Sequence, residues 1–122
     1  MMENFEIDFN QKYSIRTKKF AVGIIQFYSN NCKKNEELRV IGKQLLRSGT
    51  SVAANFRAYT RSRSKAERFA KICIVVEEVD ETLFWLEILE ESHLIDISLF
   101  SEQKQEAFEL LKIFASTKSN LK

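Results

Sequence analysis

Residues 64–91 read SKAERFAKICIVVEEVDETLFWLEILEE, and the spacing within them decides the fold. Ser64-Lys65-Ala66-Glu67 has the capping-box pattern, in which a serine hydroxyl and a glutamate three residues on satisfy backbone N–H groups that a helix start leaves free. Beyond it Phe69, Ile72, Val76, Val79, Leu83 and Leu86 recur at alternating steps of three and four, the spacing of one helix face. No glycine or proline interrupts the run. A helix over about 64–91 with a heptad-like apolar seam follows.

A seam of that length needs partners, and the flanking sequence supplies three. Upstream, Asn35 is placed as the N-cap of a helix over about 35–61, with Glu36 and Glu37 in its first turn. Its stripe is Leu38, Ile41, Leu45, Val52, Phe56 and Tyr59. The stretch Ser48-Gly49-Thr50-Ser51-Val52-Ala53-Ala54 reads either as a point of close approach by a neighbouring helix or as a loop. Further upstream Tyr13, Phe20, Ile24 and Phe27 mark a helix over about 10–30, ended by Ser29-Asn30-Asn31. Residues 1–9 read as a frayed tail that packs, if at all, through Phe5, Ile7 and Phe9. Downstream, Phe100, Gln103, Ala107, Leu110, Leu111 and Phe114 give a helix over about 99–117. The chain of 122 residues has no proline and only three glycines, too few turn residues for a sheet protein. The expectation is all-α: residues 1–122 as one antiparallel up-down-up-down four-helix bundle.

The net charge of +2 is nearly neutral, but its distribution is not uniform. Folding the helices antiparallel gathers Lys12, Arg16, Lys18, Lys19, Arg57, Arg61, Arg63, Lys65, Arg68, Lys71, Lys112, Lys118 and Lys122 at one end, with Glu67 the one acid among them apart from Glu3, Glu6 and Asp8 in the tail. Glu36, Glu37, Glu87, Glu90, Glu91, Asp96, Glu102 and Glu106 gather at the other. The third helix is basic at its start and acidic in its second half, which opposes its macrodipole. Arg57, Arg61, Arg63, Lys65, Arg68 and Lys71, with Phe56 and Tyr59 nearby, form a candidate nucleic-acid-binding set whose contacts would be made to phosphates. The same cations also fit a solvated end or one paired with a neighbouring subunit.

Ile74, Phe84, Trp85 and Ile88 fall outside the third helix's seam. They read either as an oligomer interface, with Trp85 as its anchor, or as wide burial of a central helix. Catalytic chemistry has no constellation here. His93 is the only histidine, placed in a loop at the end of the third helix, and no phosphate loop, nucleophile elbow or metalloprotease motif appears. Neither a metal site nor a cofactor is expected, since the acids Glu77, Asp80, Glu81, Glu87 and Glu91 lack the histidines of a di-iron bundle. Cys32 and Cys73 are expected as reduced thiols, Cys32 on the surface and Cys73 near the seam. With no apolar signal core and no window long enough to span a bilayer, the cytoplasm is the expected location and no membrane is expected as a partner.

Three stretches together resemble the 23S rRNA intervening-sequence protein family. They are Arg47-Ser48-Gly49-Thr50-Ser51-Val52-Ala53-Ala54-Asn55-Phe56-Arg57, Arg61 through Phe69, and Glu77 through Glu87. The resemblance covers most of residues 12–117 and implies a small four-helix bundle assembled as a homopentamer with a central channel. A related branch, the accessory variability protein of diversity-generating retroelements, implies a partner among nucleic acids and a reverse transcriptase. Many members end the signature Asn-hydrophobic-Ala-Glu-Gly, where this chain has Asn55-Phe56-Arg57-Ala58-Tyr59. The resemblance brings no catalytic residues with it. The function expected is a non-enzymatic homo-oligomeric bundle that contacts RNA or DNA through its basic end. The alternative is a protein-interaction scaffold, an adaptor for a polymerase or mobile element without direct nucleic-acid binding.

Overall fold

The computed structural model describes residues 2–121, with side chains from Asn4 onward, so Lys122 lies outside the described residues. Four helices follow one another: α1 Met2–Asn31, α2 Glu36–Thr60, α3 Lys65–Ser92 and α4 Ser101–Asn120. Asn35 Oδ1 accepts from the Leu38 N–H at 2.8 Å and starts α2, while Ser64 Oγ accepts from the Glu67 N–H at 3.0 Å and starts α3. His93 closes α3 in the left-handed region at φ 55°, its N–H donating to the Glu90 carbonyl at 3.3 Å. Asp96 then accepts from the Ser98 N–H at 2.8 Å, and the 3₁₀ turn Ile97–Leu99 leads the chain to Phe100, which is buried against Phe27.

Cross-helix pairs tie each helix to its neighbours, and those between α1 and α2 run in antiparallel order. Phe9 meets Phe56 and Ile24 meets Gly49 between α1 and α2; Arg47 meets Glu78 and Ser48 meets Thr82 between α2 and α3. Glu90 pairs with Lys104 between α3 and α4, and Tyr13 meets Phe114 between α1 and α4. The four helices pack as a bundle, and α1 with α4 is its loosest seam. The core holds the predicted stripes: Phe20, Ile24 and Phe27; Leu38, Leu45, Val52 and Phe56; Ile72, Val79 and Leu86; Phe100, Leu110 and Phe114. On α3 the seam takes Val75, fully buried, in place of the expected Val76, which is half-buried beside it.

Two expectations are corrected. Residues 2–9 are not a tail but the first two turns of α1. They persist because Phe9 packs on Tyr13 at 4.7 Å and on Phe56 at 6.1 Å, and because Glu6 pairs with Arg68 of α3 at 3.3 Å. Phe5 and Ile7 remain exposed. Of the two readings of Ser48–Ala54, close approach is the one found: the stretch is continuous helix, and a Cβ at Gly49 would lie 3.0 Å from Ile24 side-chain carbons. The second correction concerns Cys32, which is fully buried rather than on the surface, tucked against Gly42.

Burial pushes the Cys32 thiol up from its ordinary 9.0 to about 11. A raised pKa favours the neutral thiol in the folded state. The stability it contributes is present below about pH 9 and is lost as pH rises through about 11. Iodoacetamide needs the thiolate and access to it. In the native protein near neutral pH, half-buried Cys73 should therefore be alkylated well before Cys32. Peptide mass spectrometry of a time course checks the order, and equal rates would contradict the packing of Cys32.

Candidate nucleic-acid interface and oligomer face

The basic end is built on an aromatic cluster. Phe56 stacks on Tyr59 at 5.3 Å and meets Phe114 at 5.1 Å, so the last turns of α2 and α4 share one floor with Phe9 of α1. The link after α2 then turns immediately into α3. Arg57 in the last turn of α2, Arg61 and Arg63 in the link, and Lys65 at the start of α3 are all exposed. Among the described residues no carboxylate lies within 4.0 Å of these four cations. Arg57 and Arg61 line a groove of about 360 Å³ with Lys18, Ser14 and the small residues Ala53 and Ala54. Three cations thus share the α1–α2 surface where the small side chains leave room.

The remaining members of the predicted set stand differently. Arg68 is half-buried and pairs with Glu6 of α1 at 3.3 Å; Lys71 is half-buried on α3. Arg16, assigned above to the basic end, is engaged elsewhere. Its Nε and Nη2 donate to the two Glu106 oxygens at 2.7 Å each, with Glu109 3.7 Å away. That bidentate contact raises the already high pKa of Arg16 and holds it charged. Because α1 starts at Met2, Arg16 lies at its middle, so the basic and acidic sets meet halfway along the α1–α4 seam rather than standing apart. Arg47, unassigned in the sequence, likewise holds Glu78 and Glu81 of α3.

The second apolar face of α3 divides. Phe84 is 48% exposed and stands among the exposed acids Glu77, Asp80, Glu87 and Glu91. Ile74, Trp85 and Ile88 are half-buried on the flank that carries Glu78 and Glu81, toward Arg47 of α2. The Trp85 indole N–H donates to Glu81 at 3.3 Å, and its ring meets Phe84 edge-on at 5.0 Å. Part of this face is thus used within the chain. The sequence reading missed a second exposed stripe, Ile15, Val22 and Ile25 on α1. Their spacing of seven and three was the available signal, masked by more deeply buried neighbours. Asn55, within the signature stretch, spends its amide on Ser51 one turn back, at 2.9 Å to both the carbonyl and the hydroxyl.

Among the described residues, no cluster of three or more His, Cys, Asp or Glu side chains is arranged to hold a metal ion, and no helix is long and apolar enough to cross a membrane. What fold and surface define is a short-linked four-helix bundle with unpaired cations at one end and apolar side chains on two outer faces. The chain belongs to the 23S rRNA-intervening sequence protein family, which matches residues 10–116. It is similar to a protein of unknown function from the S23 ribosomal protein family of Bacteroides thetaiotaomicron, known as a crystal structure. The two share 30% identity and a TM-score of 0.80 over 90% of this chain and 97% of that one. No curated protein matches the sequence.

Proposed function

We propose that this chain is a subunit of a homo-oligomer, the homopentamer its family resemblance implies, that contacts RNA or DNA through its basic end. The observation that carries the reading is the set Arg57, Arg61, Arg63 and Lys65, exposed and without a carboxylate partner among the described residues. Unpaired cations on a rigid helix end suit phosphates, and binding through them is sequence-tolerant and falls steeply with salt. Arg68 and Lys71 contribute less directly, one held by Glu6 and both half-buried. Fluorescence anisotropy with RNA and DNA across a salt series tests this. The triple change of Arg57, Arg61 and Arg63 to alanine is expected to weaken binding about tenfold or more and to flatten the salt dependence. Undetectable binding at low salt, or a triple variant that binds as wild type, overturns it.

The assembly is supported by exposed apolar side chains of unlike surroundings. Phe84 lies among acids, and Ile15, Val22 and Ile25 lie beside Lys18. Faces of that kind complement one another between copies in a head-to-tail ring. Phe84→Glu, exposed and outside the core, is expected to shift the particle toward monomer in light scattering without loss of helix content. A wild-type monomer at micromolar concentration would defeat the oligomer. The same exposed apolar residues favour the second reading, a scaffold for a partner protein such as a polymerase. That reading predicts retained partner capture and no nucleic-acid affinity.

A further inference from the structure

Beside the unpaired cations lies a cleft of about 650 Å³, between the first turns of α1, the end of α2, the start of α3 and the end of α4. Its walls are mainly Phe5, Phe9, Tyr59 and Ile113, and Arg68 and Lys112 bring cations to it. The size is that of a small-molecule site, and the lining combines flat aromatic surface with positive charge. Phe5 is 69% exposed and stacks on Phe9 at 6.5 Å, so one aromatic face is already presented to solvent. Arg61 and Arg63 lie on the short link between Tyr59 and Arg68, at the same end of the bundle as the cleft.

Resting on the nucleic-acid reading above, we infer that this cleft takes one unstacked base of a single strand, with the adjoining phosphate on Arg68 and Lys112. A duplex keeps its base faces covered by stacking and offers only phosphates to the exposed arginines. A single strand offers a π-face as well, and aromatic side chains with nearby cations are how proteins hold it. Glu6 acts against this ligand. Its carboxylate, 57% exposed, sits 3.3 Å from Arg68, where the phosphate is to bind. The first turns of α1 therefore supply both a stacking ring and an anion that competes with the strand.

The probe is a short fluorescein-labelled polyadenylate strand, compared with the same strand paired to its complement. The wild-type protein is expected to prefer the single strand. Phe5→Ala, at an exposed position, is expected to weaken single-strand binding about fivefold or more and leave the duplex unchanged. Glu6→Gln is expected to tighten single-strand binding more than duplex binding. Thermal unfolding of each variant confirms the fold. Single strand and duplex bound alike, with Phe5→Ala and Glu6→Gln without effect, overturns the cleft while the basic end stands. Binding of neither probe at low salt overturns both.

Discussion

Phe56→Ala is expected to lower the free energy of unfolding by about 3–5 kcal/mol, the usual range for removing a buried phenylalanine. Phe56 is fully buried, and its ring is the common contact of Phe9 at 6.1 Å, Tyr59 at 5.3 Å and Phe114 at 5.1 Å. Those rings come from α1, α2 and α4, so the cavity opens where three helices are joined. None of the neighbours can fill it cheaply. Tyr59 is nearly buried, and burial already pushes its phenol up, so moving its hydroxyl inward would desolvate it further. Domains of this size are stable by only about 5–15 kcal/mol, so the loss is a large share of the total. Urea denaturation followed by circular dichroism measures it, as a lower midpoint with little change in slope. Phe56→Leu keeps most of the volume and should lose clearly less. A loss below about 1 kcal/mol for the alanine variant would mean the aromatic floor is not the joint described here. The basic end would suffer with it, because Tyr59 and Phe9 both rest on this ring.

What the sequence made legible was local. Asn35 and Ser64 cap their helices through their own side chains within three residues, so the signal and its structural effect lie in the same short stretch. The stripes of α2 and α4 were legible for the same reason. The features that escaped depend on register between helices. Cys32 sits in a polar link and reads as exposed, yet a gap on α2 takes it in. Arg16 reads as part of a basic end until Glu106, ninety residues away in the chain, is brought to 2.7 Å. Arg68 is in the same position with Glu6. Of the predicted set, the cations with no carboxylate partner among the described residues are Arg57, Arg61, Arg63, Lys65 and Lys71, because only packing reveals which cations are already paired. Trp85 was divided between interface and core for lack of the α2 register, which places Arg47 against Glu78 and Glu81 on its flank.

The gap that admits Cys32 makes the sharpest test of that register. Alanine is about 1 kcal/mol better than glycine inside a helix, so Gly→Ala changes should stabilise wherever space allows. Gly23 has space: an added Cβ would meet only the Gln103 amide nitrogen, at 3.6 Å. Gly23→Ala is expected to raise stability by about 0.5–1 kcal/mol. Gly42 has none. A Cβ there would stand 2.6 Å from the Cys32 Cβ and 2.8 Å from Tyr28 Cδ1. The Cys32 atom is fixed to the backbone, so relief requires the last turn of α1 to move away from α2 rather than a side chain to rotate. Forcing atoms into a packed site typically costs about 1–3 kcal/mol, and a contact this short belongs at the upper end. Subtracting the propensity gain leaves Gly42→Ala about 2 kcal/mol less stable than wild type. Displacing that turn also uncovers the thiol, so Cys32 should become reactive toward iodoacetamide in the folded variant. The opposite signs at Gly23 and Gly42 depend on close approach alone, since both are helical glycines changed to the same residue. A stabilised Gly42→Ala with Cys32 still protected would mean that α1 and α2 do not meet where Tyr28, Cys32 and Gly42 are placed.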